Sequence, residues 1–221
     1  MSARRRARPA RPPGRPRAGD LPAAREEILD AASRWIIQRG HGTLSTRAVA
    51  AGAGVTQSLI HYYFGTKERL LLAVLRRMTD ALIERQTAMY TSSLTFSEKW
   101  AQACAFYERD IASGYVRLHT ELRALGFSNP AIRAAVMKIS NRWRSVVRDA
   151  CRDVLDQLHI TSVTPEEVAT YIVCFWLGMD VDRVLGVSET VGHHRQSLAT
   201  FERFLRWLEA ERAAGRKLTL H

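Results

Sequence analysis

Apolar residues recur along this chain at intervals of three and four, the period of an amphipathic helix, and almost nowhere alternate as they do in a strand. Leu71, Val74, Leu75, Met78 and Leu82 form one stripe and predict a long helix over 67–89. After a break at SLTF, residues 97–112 place Trp100, Cys104 and Tyr107 at i, i+4 and i+7. Gly114 interrupts, and YVRLHTELRALGF makes a further helix that stops at Asn129-Pro130. A longer one, 131–158, turns Val136, Ile139, Trp143, Val147, Cys151, Val154 and Leu158 inward. Thr164-Pro165-Glu166-Glu167 carries an N-cap, a proline at the first helical position and acids in the first turn. The helix it opens, through 186, is unusually apolar for its length, and the last, 194–213, spaces Leu198, Phe201, Leu205 and Leu208 along one face. Nearly every buried surface must then be helix on helix, so the fold class is all-α.

Upstream, residues 43–70 (TLSTRAVAAGAGVTQSLIHYYFGTKERL) predict two short helices across a tight turn, opening into the long one. Ser45 is a plausible N-cap, and Val49 and Ala53 share a face. Gly54 falls where the first helix must stop, because glycine takes a left-handed cap at little cost. Thr56 can cap the next helix, which buries Ile60 and Phe64 and presents Gln57, Ser58, His61 and Tyr62 outward. Thr66 starts the long helix. Two helices crossing at so short a turn form the geometry with which one helix enters a DNA major groove.

The run LSTRAVAAGAGV and the block IHYYFGTKERLL, with REEILDAASRWIIQRG ahead of them, resemble the DNA-binding head of the TetR family of bacterial transcriptional regulators. The resemblance covers motifs over roughly residues 23–75 and beyond that only a pattern of long helices. Gln57, Ser58 and Leu59 depart from the family's frequent Lys-Gly-Thr, and His61 from its Tyr, which bears on the operator sequence and not on the fold. The resemblance implies a three-helix helix-turn-helix head joined by the long fourth helix to a helical ligand-binding and dimerisation body. The expected division is a disordered basic tail at 1–22, a head at 23–66 and a body at 67–215.

The DNA-contact positions it implies are Thr46, Arg47, Thr56, Gln57, Ser58, His61, Tyr62, Tyr63 and Lys67. Their chemistry suggests roles. Gln57 can pair with adenine N6 and N7, and Arg47 with guanine or a phosphate. Tyr62 and Lys67 suit phosphates, and His61 either phosphate or base. Leu59 offers a thymine-methyl contact or packs inside, and Phe64 and Tyr63 also suit the head's own core.

Composition agrees with a nucleic-acid partner. The chain has 221 residues, 46% of them hydrophobic, and a net charge of +11. The first twenty residues hold seven arginines against one Asp, which leaves about +5 for the remainder. That segment reads as a solvated tail or as a basic arm on DNA; its Gly14-Arg15-Pro16-Arg17 is similar to an AT-hook. Cys104, Cys151 and Cys174 are widely spaced and odd in number, as for free thiols in a reducing cytoplasm. No run is long and apolar enough to predict a membrane span, so a cytoplasmic location is expected.

For the body, the resemblance implies a small-molecule effector and a homodimer. The apolar surplus on the last two long helices, with Trp176, Val184, Phe201, Phe204, Leu205 and Leu208 foremost, suggests a four-helix dimer seam or a thick monomer core. Trp100, Cys104, Tyr107, Tyr115, His119, Trp143, Phe175 and Met179 mix aromatic bodies with polar tips, as a pocket for an amphipathic or aromatic ligand would. Asp180 and Asp182 are two apart and point to different faces, and no nucleophile elbow, phosphate loop or metal motif appears, so no enzyme, cofactor or metal is expected. The functional expectation is a ligand-responsive regulator, a repressor that leaves a palindromic double-stranded operator when its effector binds. The alternative is a nucleoid-associated or architectural DNA binder without an effector.

Overall fold

The computed structural model describes residues 21–216, so all but the last two residues of the expected basic tail lie outside the described residues. Among the described residues there are ten helices and no strand. The chain divides into two compact units, Met1–Val74 and Leu75–His221.

The first unit holds α1 (Leu21–Arg39), α2 (Thr46–Ala53), α3 (Gln57–Phe64) and the start of α4 (Lys67–Tyr90). α1 begins at Leu21 and takes Pro22 into its first turn, where a missing N–H costs nothing. The core is built by Ile28, Leu29, Ile36, Val49, Ile60, Phe64, Leu70 and Leu71, all buried. Ser45 caps α2, its Oγ accepting from Ala48 N at 3.2 Å, and Gly54 ends it at φ 65° with its N–H returned to Ala50 and Ala51. A side chain at Gly54 would strain that left-handed turn and change the angle at which α3 leaves it. Thr56 holds the N-cap position of α3 but makes no side-chain cap bond; its carbonyl receives Leu59 N at 3.1 Å, which leaves the hydroxyl outside. Thr66 caps α4 through Arg69 N at 3.2 Å.

The second unit contains the remainder of α4 with α5 (Phe96–Ala112), α6 (Tyr115–Ser128), α7 (Pro130–Leu158), α8 (Pro165–Leu185), α9 (Glu189–Gly192) and α10 (His194–Ala213). The one-turn α9 was not expected from the sequence, since a four-residue turn carries no periodic signal. α6, α7 and α8 pack successively, and α10 lies on α5. Thr95 with Glu98 and Thr164 with Glu167 form reciprocal capping boxes. Asn129 caps α7 with Pro130 at its first position. Each such cap stabilises its helix by about 1 kcal/mol. The carboxylate of Glu209 on α10 receives both Ser97 N at 2.7 Å and Ser97 Oγ at 2.8 Å, fixing α10 against the start of α5.

α8 has a buried row, Ala169, Val173, Trp176, Met179 and Asp180, packed within the unit. On its other side Tyr171, Cys174, Gly178, Val181 and Leu185 recur at intervals of three and four, and all five are exposed.

Candidate functional site

In the head, all nine sequence-expected residues are at least partly exposed. Arg47, Thr56, Gln57, Ser58, His61 and Tyr62 are exposed; Thr46, Tyr63 and Lys67 are half-buried. Tyr62 is 74% exposed, its ring edge-on to that of Tyr63 at 5.3 Å. Ile60 and Phe64 hold α3 from behind, and Arg25 lies over the Phe64 ring at 5.8 Å.

The hydrogen bonds refine three of the roles. Gln57 Nε2 donates to Thr46 Oγ1 at 2.9 Å, joining the first residues of α2 and α3. His61 Nδ1 lies 3.0 Å from the Gly65 carbonyl, which can only accept; the neutral ring therefore carries its proton on Nδ1 and turns Nε2 outward as an acceptor. Lys67 Nζ donates to Gly42 O at 3.2 Å, so the ammonium also holds the α1–α2 loop while two of its protons remain for other acceptors. A surface with polar tips on a short exposed helix and cationic groups on both flanks suits a nucleic-acid groove and its phosphates.

Two cavities of the body take in sequence-expected residues. The smaller, about 50 Å³, is lined by Tyr107, Tyr115, His119 and Trp143 from the expected set, together with Gln86, Asp110, Trp176 and Asp180. The larger, about 470 Å³ and mostly apolar, lies among Phe96, Trp100, Val154, Leu158, Phe201 and Leu205. Trp100 lines the larger one, and its Nε1 donates to Leu198 O at 3.0 Å. Cys104 and Met179 pack into the core around Trp176 instead, and Phe175 turns outward at 38% exposure, so these three line neither cavity.

Sequence reasoning missed the acidic groups of the small cavity. Asp180 and Asp182 do point apart, as expected, but Asp180 is buried beside His119 while Asp182 binds His194 Nε2 at 3.0 Å. The available signal was a carboxylate one turn from Trp176 in the most apolar of the long helices. The large cavity left no signal, because its lining reads as ordinary core.

The expected seam residues divide. Trp176, Leu205 and Leu208 are buried within the chain's own core. Val184 and Phe201 are half-buried against the same core, and Phe204 is exposed, as is Trp207. The apolar surplus therefore splits between a thick core and an outer strip, and a hydrophobic count along a helix does not tell the two apart.

The fold and the head surface define a class: an all-helical chain carrying a helix-turn-helix of groove-reading geometry. Residues 28–74, the head, match the profile of the bacterial regulatory proteins of the tetR family. It is similar to the HTH-type transcriptional regulator BetI of Brucella anthropi, 43% identical over 67 residues, which are 30% of this chain and 34% of that protein. The chain thus spans about a third of the length of the curated relatives it matches. Its fold is similar to that of a TetR-family regulator from a Rhodococcus species (TM-score 0.66, 22% identity, 82% of this chain and 97% of that one). A regulator from Saccharomonospora viridis, solved with choline, is similar too (TM-score 0.65, 24% identity, 81% and 95%).

Proposed function

We propose that this chain is a ligand-responsive transcriptional regulator, a repressor that binds a palindromic double-stranded DNA operator as a homodimer and leaves it when a small molecule enters the body. The observation that carries the reading is the exposed polar row Gln57, Ser58, His61 and Tyr62 on α3, held by a buried Ile60–Phe64 face in a head of this family. α4 supports the link to a ligand. Lys67 at its start bonds the α1–α2 loop, and Leu82, Gln86 and Tyr90 near its end line the small cavity. A molecule that moves those three side chains acts on a helix whose other end carries head residues.

Dimerisation rests on the outer strip of α8. Tyr171, Val181 and Leu185, with Phe204 and Trp207 on α10, leave more apolar area outside than single scattered residues do. Gly178 lies within the strip, and a methyl added there would meet nothing within 4 Å, as at a place where a second helix can approach closely. Two-fold symmetry would set two α3 helices at half-sites about 34–36 Å apart. A ligand that favours the released state by roughly 3 kcal/mol would weaken operator binding about 100-fold.

Selection of bound fragments from random duplex DNA tests the reading. One inverted-repeat motif, lost in a Gln57→Ala, Tyr62→Ala double variant, is the expected result. A bound pool that stays random would overturn it and favour the architectural alternative, whose affinity is backbone electrostatics alone.

A further inference from the structure

Only Gly65 and Thr66 separate α3, which ends at Phe64, from α4, which begins at Lys67. Both helices are anchored close to that joint, by buried Phe64 on one side and buried Leu70 and Leu71 on the other. The change of direction between them is therefore concentrated in two residues. Gly65 makes it at φ 71° and ψ −60°, and Thr66 N donates back to Phe64 O at 2.8 Å. A bond of that span across such a centre is a γ-turn of the positive-φ form, rare and strained for any residue with a side chain. Space is not what calls for glycine. A methyl at Gly65 would stand 3.7 Å from Arg69 Nη1, an ordinary contact, so the backbone angle alone opposes it.

A turn of this kind persists only where its surroundings hold it. The holder is His61. Its carbonyl accepts from Gly65 N at 2.9 Å, and its Nδ1 lies 3.0 Å from Gly65 O, so one residue engages both polar groups at the centre of the turn. α3 needs such a hold. It has eight residues, too few for a helix to be stable alone, and Thr56 at its start makes no side-chain cap bond. Its first turn is tied to α2 through Gln57, and its last to the joint through the His61 ring.

We propose that His61 is a positioning residue of the reading helix. Its ring clasps the Gly65 turn and fixes the angle between α3 and α4, and this, rather than a base contact of Nε2, is its contribution to operator affinity. The bond is open to water, so its net contribution to stability is small, while the orientation it sets is felt by every contact along α3. This rests on the reading of α3 as the DNA-contact helix and adds the device that aims it.

Two replacements of matching shape separate clasp from contact. The amide nitrogen of asparagine falls where Nδ1 lies, and that of glutamine where Nε2 lies. The probe is duplex DNA carrying the inverted repeat that the full chain selects. His61→Asn should bind it within about twofold of wild type, while His61→Gln and His61→Ala should each lose about three- to tenfold, the scale of one net hydrogen bond. All three should keep wild-type helicity, with melting lowered by a few degrees at most. Gly65→Ala should lose at least as much affinity as His61→Gln, because it strains the same turn. Should Gly65→Ala fail to fold, the His61 variants decide. A His61→Asn variant as weak as His61→Ala, or a His61→Gln variant as strong as wild type, would overturn the assignment.

A readout without DNA keeps the two readings apart. Nitrogen NMR of the histidine-labelled full chain, at a pH where the rings are neutral, should show His61 protonated on Nδ1, its signal identified by its absence from His61→Asn. A proton on Nε2 instead would remove the clasp. If no motif is selected from random DNA, the DNA-contact reading fails by itself, and the tautomer still decides the clasp.

Discussion

Gln57 Nε2 donates to Thr46 Oγ1 at 2.9 Å, so the residue with the best chemistry for reading adenine is oriented by the first residue of the neighbouring helix. The bond uses one amide proton and leaves the other, with the carbonyl oxygen, free for a base edge. Gln57→Ala is expected to relax base preference at one or two positions per half-site, by about 1–3 kcal/mol each. Thr46→Ala should loosen preference at the same positions, because the amide loses the group that aims it. A double-mutant cycle on operator affinity checks the link: a coupling of about 0.5 kcal/mol or more is expected, and strict additivity would separate the two residues.

Lys67 holds the α1–α2 loop and is expected to contact phosphate as well, and the two can be measured apart. Its bond to the Gly42 carbonyl contributes about 1 kcal/mol at most to the head, being an exposed contact. Lys67→Ala should lower affinity for operator and random DNA alike and reduce the salt slope by about one. A melting temperature reduced by only a few degrees beside that change in slope places the larger effect on phosphate.

The split of apolar residues on α8 and α10 decides where a charge dissociates a dimer and where it unfolds a chain. Leu205 is buried against Phe96, Leu158 and Leu208, so Leu205→Asp should cost several kcal/mol and abolish folding. Leu185 is 74% exposed, so Leu185→Asp should leave helicity and melting of the monomer intact while sedimentation shows dissociation and operator binding falls. Wild-type protein that sediments as a monomer at micromolar concentration would remove the seam.

Thiol chemistry gives an independent view of the same strip. Burial pushes the Cys104 and Cys151 thiols up to about 11, so at neutral pH almost none of either is the reactive thiolate. Cys174 is exposed within the outer row of α8. In the dimer it should be shielded, and in the Leu185→Asp monomer it should become the single fast-reacting thiol per chain. Rapid modification of Cys174 in wild-type protein at dimer-forming concentration would contradict a seam along this row.

Most helices of this chain were legible because capping and periodicity agree at them; α3, where Thr56 makes no cap bond, was legible from its buried face alone. Ser45, Gly54, Asn129-Pro130 and Thr164 all act where their chemistry requires, and boundaries differ from expectation by one or two residues except at α1, which starts four residues earlier than the run REEILDAASRWIIQRG. The head surface was legible because an eight-residue helix with Ile60 and Phe64 inward has only one other side. The body site was half legible. Tyr107, Tyr115, His119 and Trp143 do converge, but which apolar helix faces leave a gap between them depends on packing angles that no spacing encodes. For the same reason the sequence did not distinguish Leu205, inside, from Phe204, one residue away and outside.

Tyr115 connects the small cavity to alkaline stability. Burial is the largest cause pushing its phenol up to about 12, with the carboxylates of Asp110 and Asp180 adding to it and a hydrogen bond from Thr79 Oγ1 at 3.3 Å opposing it. The folded state therefore favours the neutral phenol over the value near 10.0 of an unfolded chain. A raised folded value means that its contribution to stability is complete below about pH 10 and is lost as pH rises from there to about 12. Denaturant unfolding followed across that window should show stability falling with pH, less steeply in Tyr115→Phe, which has no proton there to lose. The accompanying absorbance of phenolate should include a late-titrating component in wild-type protein that the variant lacks. An alkaline slope unchanged by Tyr115→Phe would assign that loss to Tyr90 and Tyr107, whose phenols burial also pushes upward.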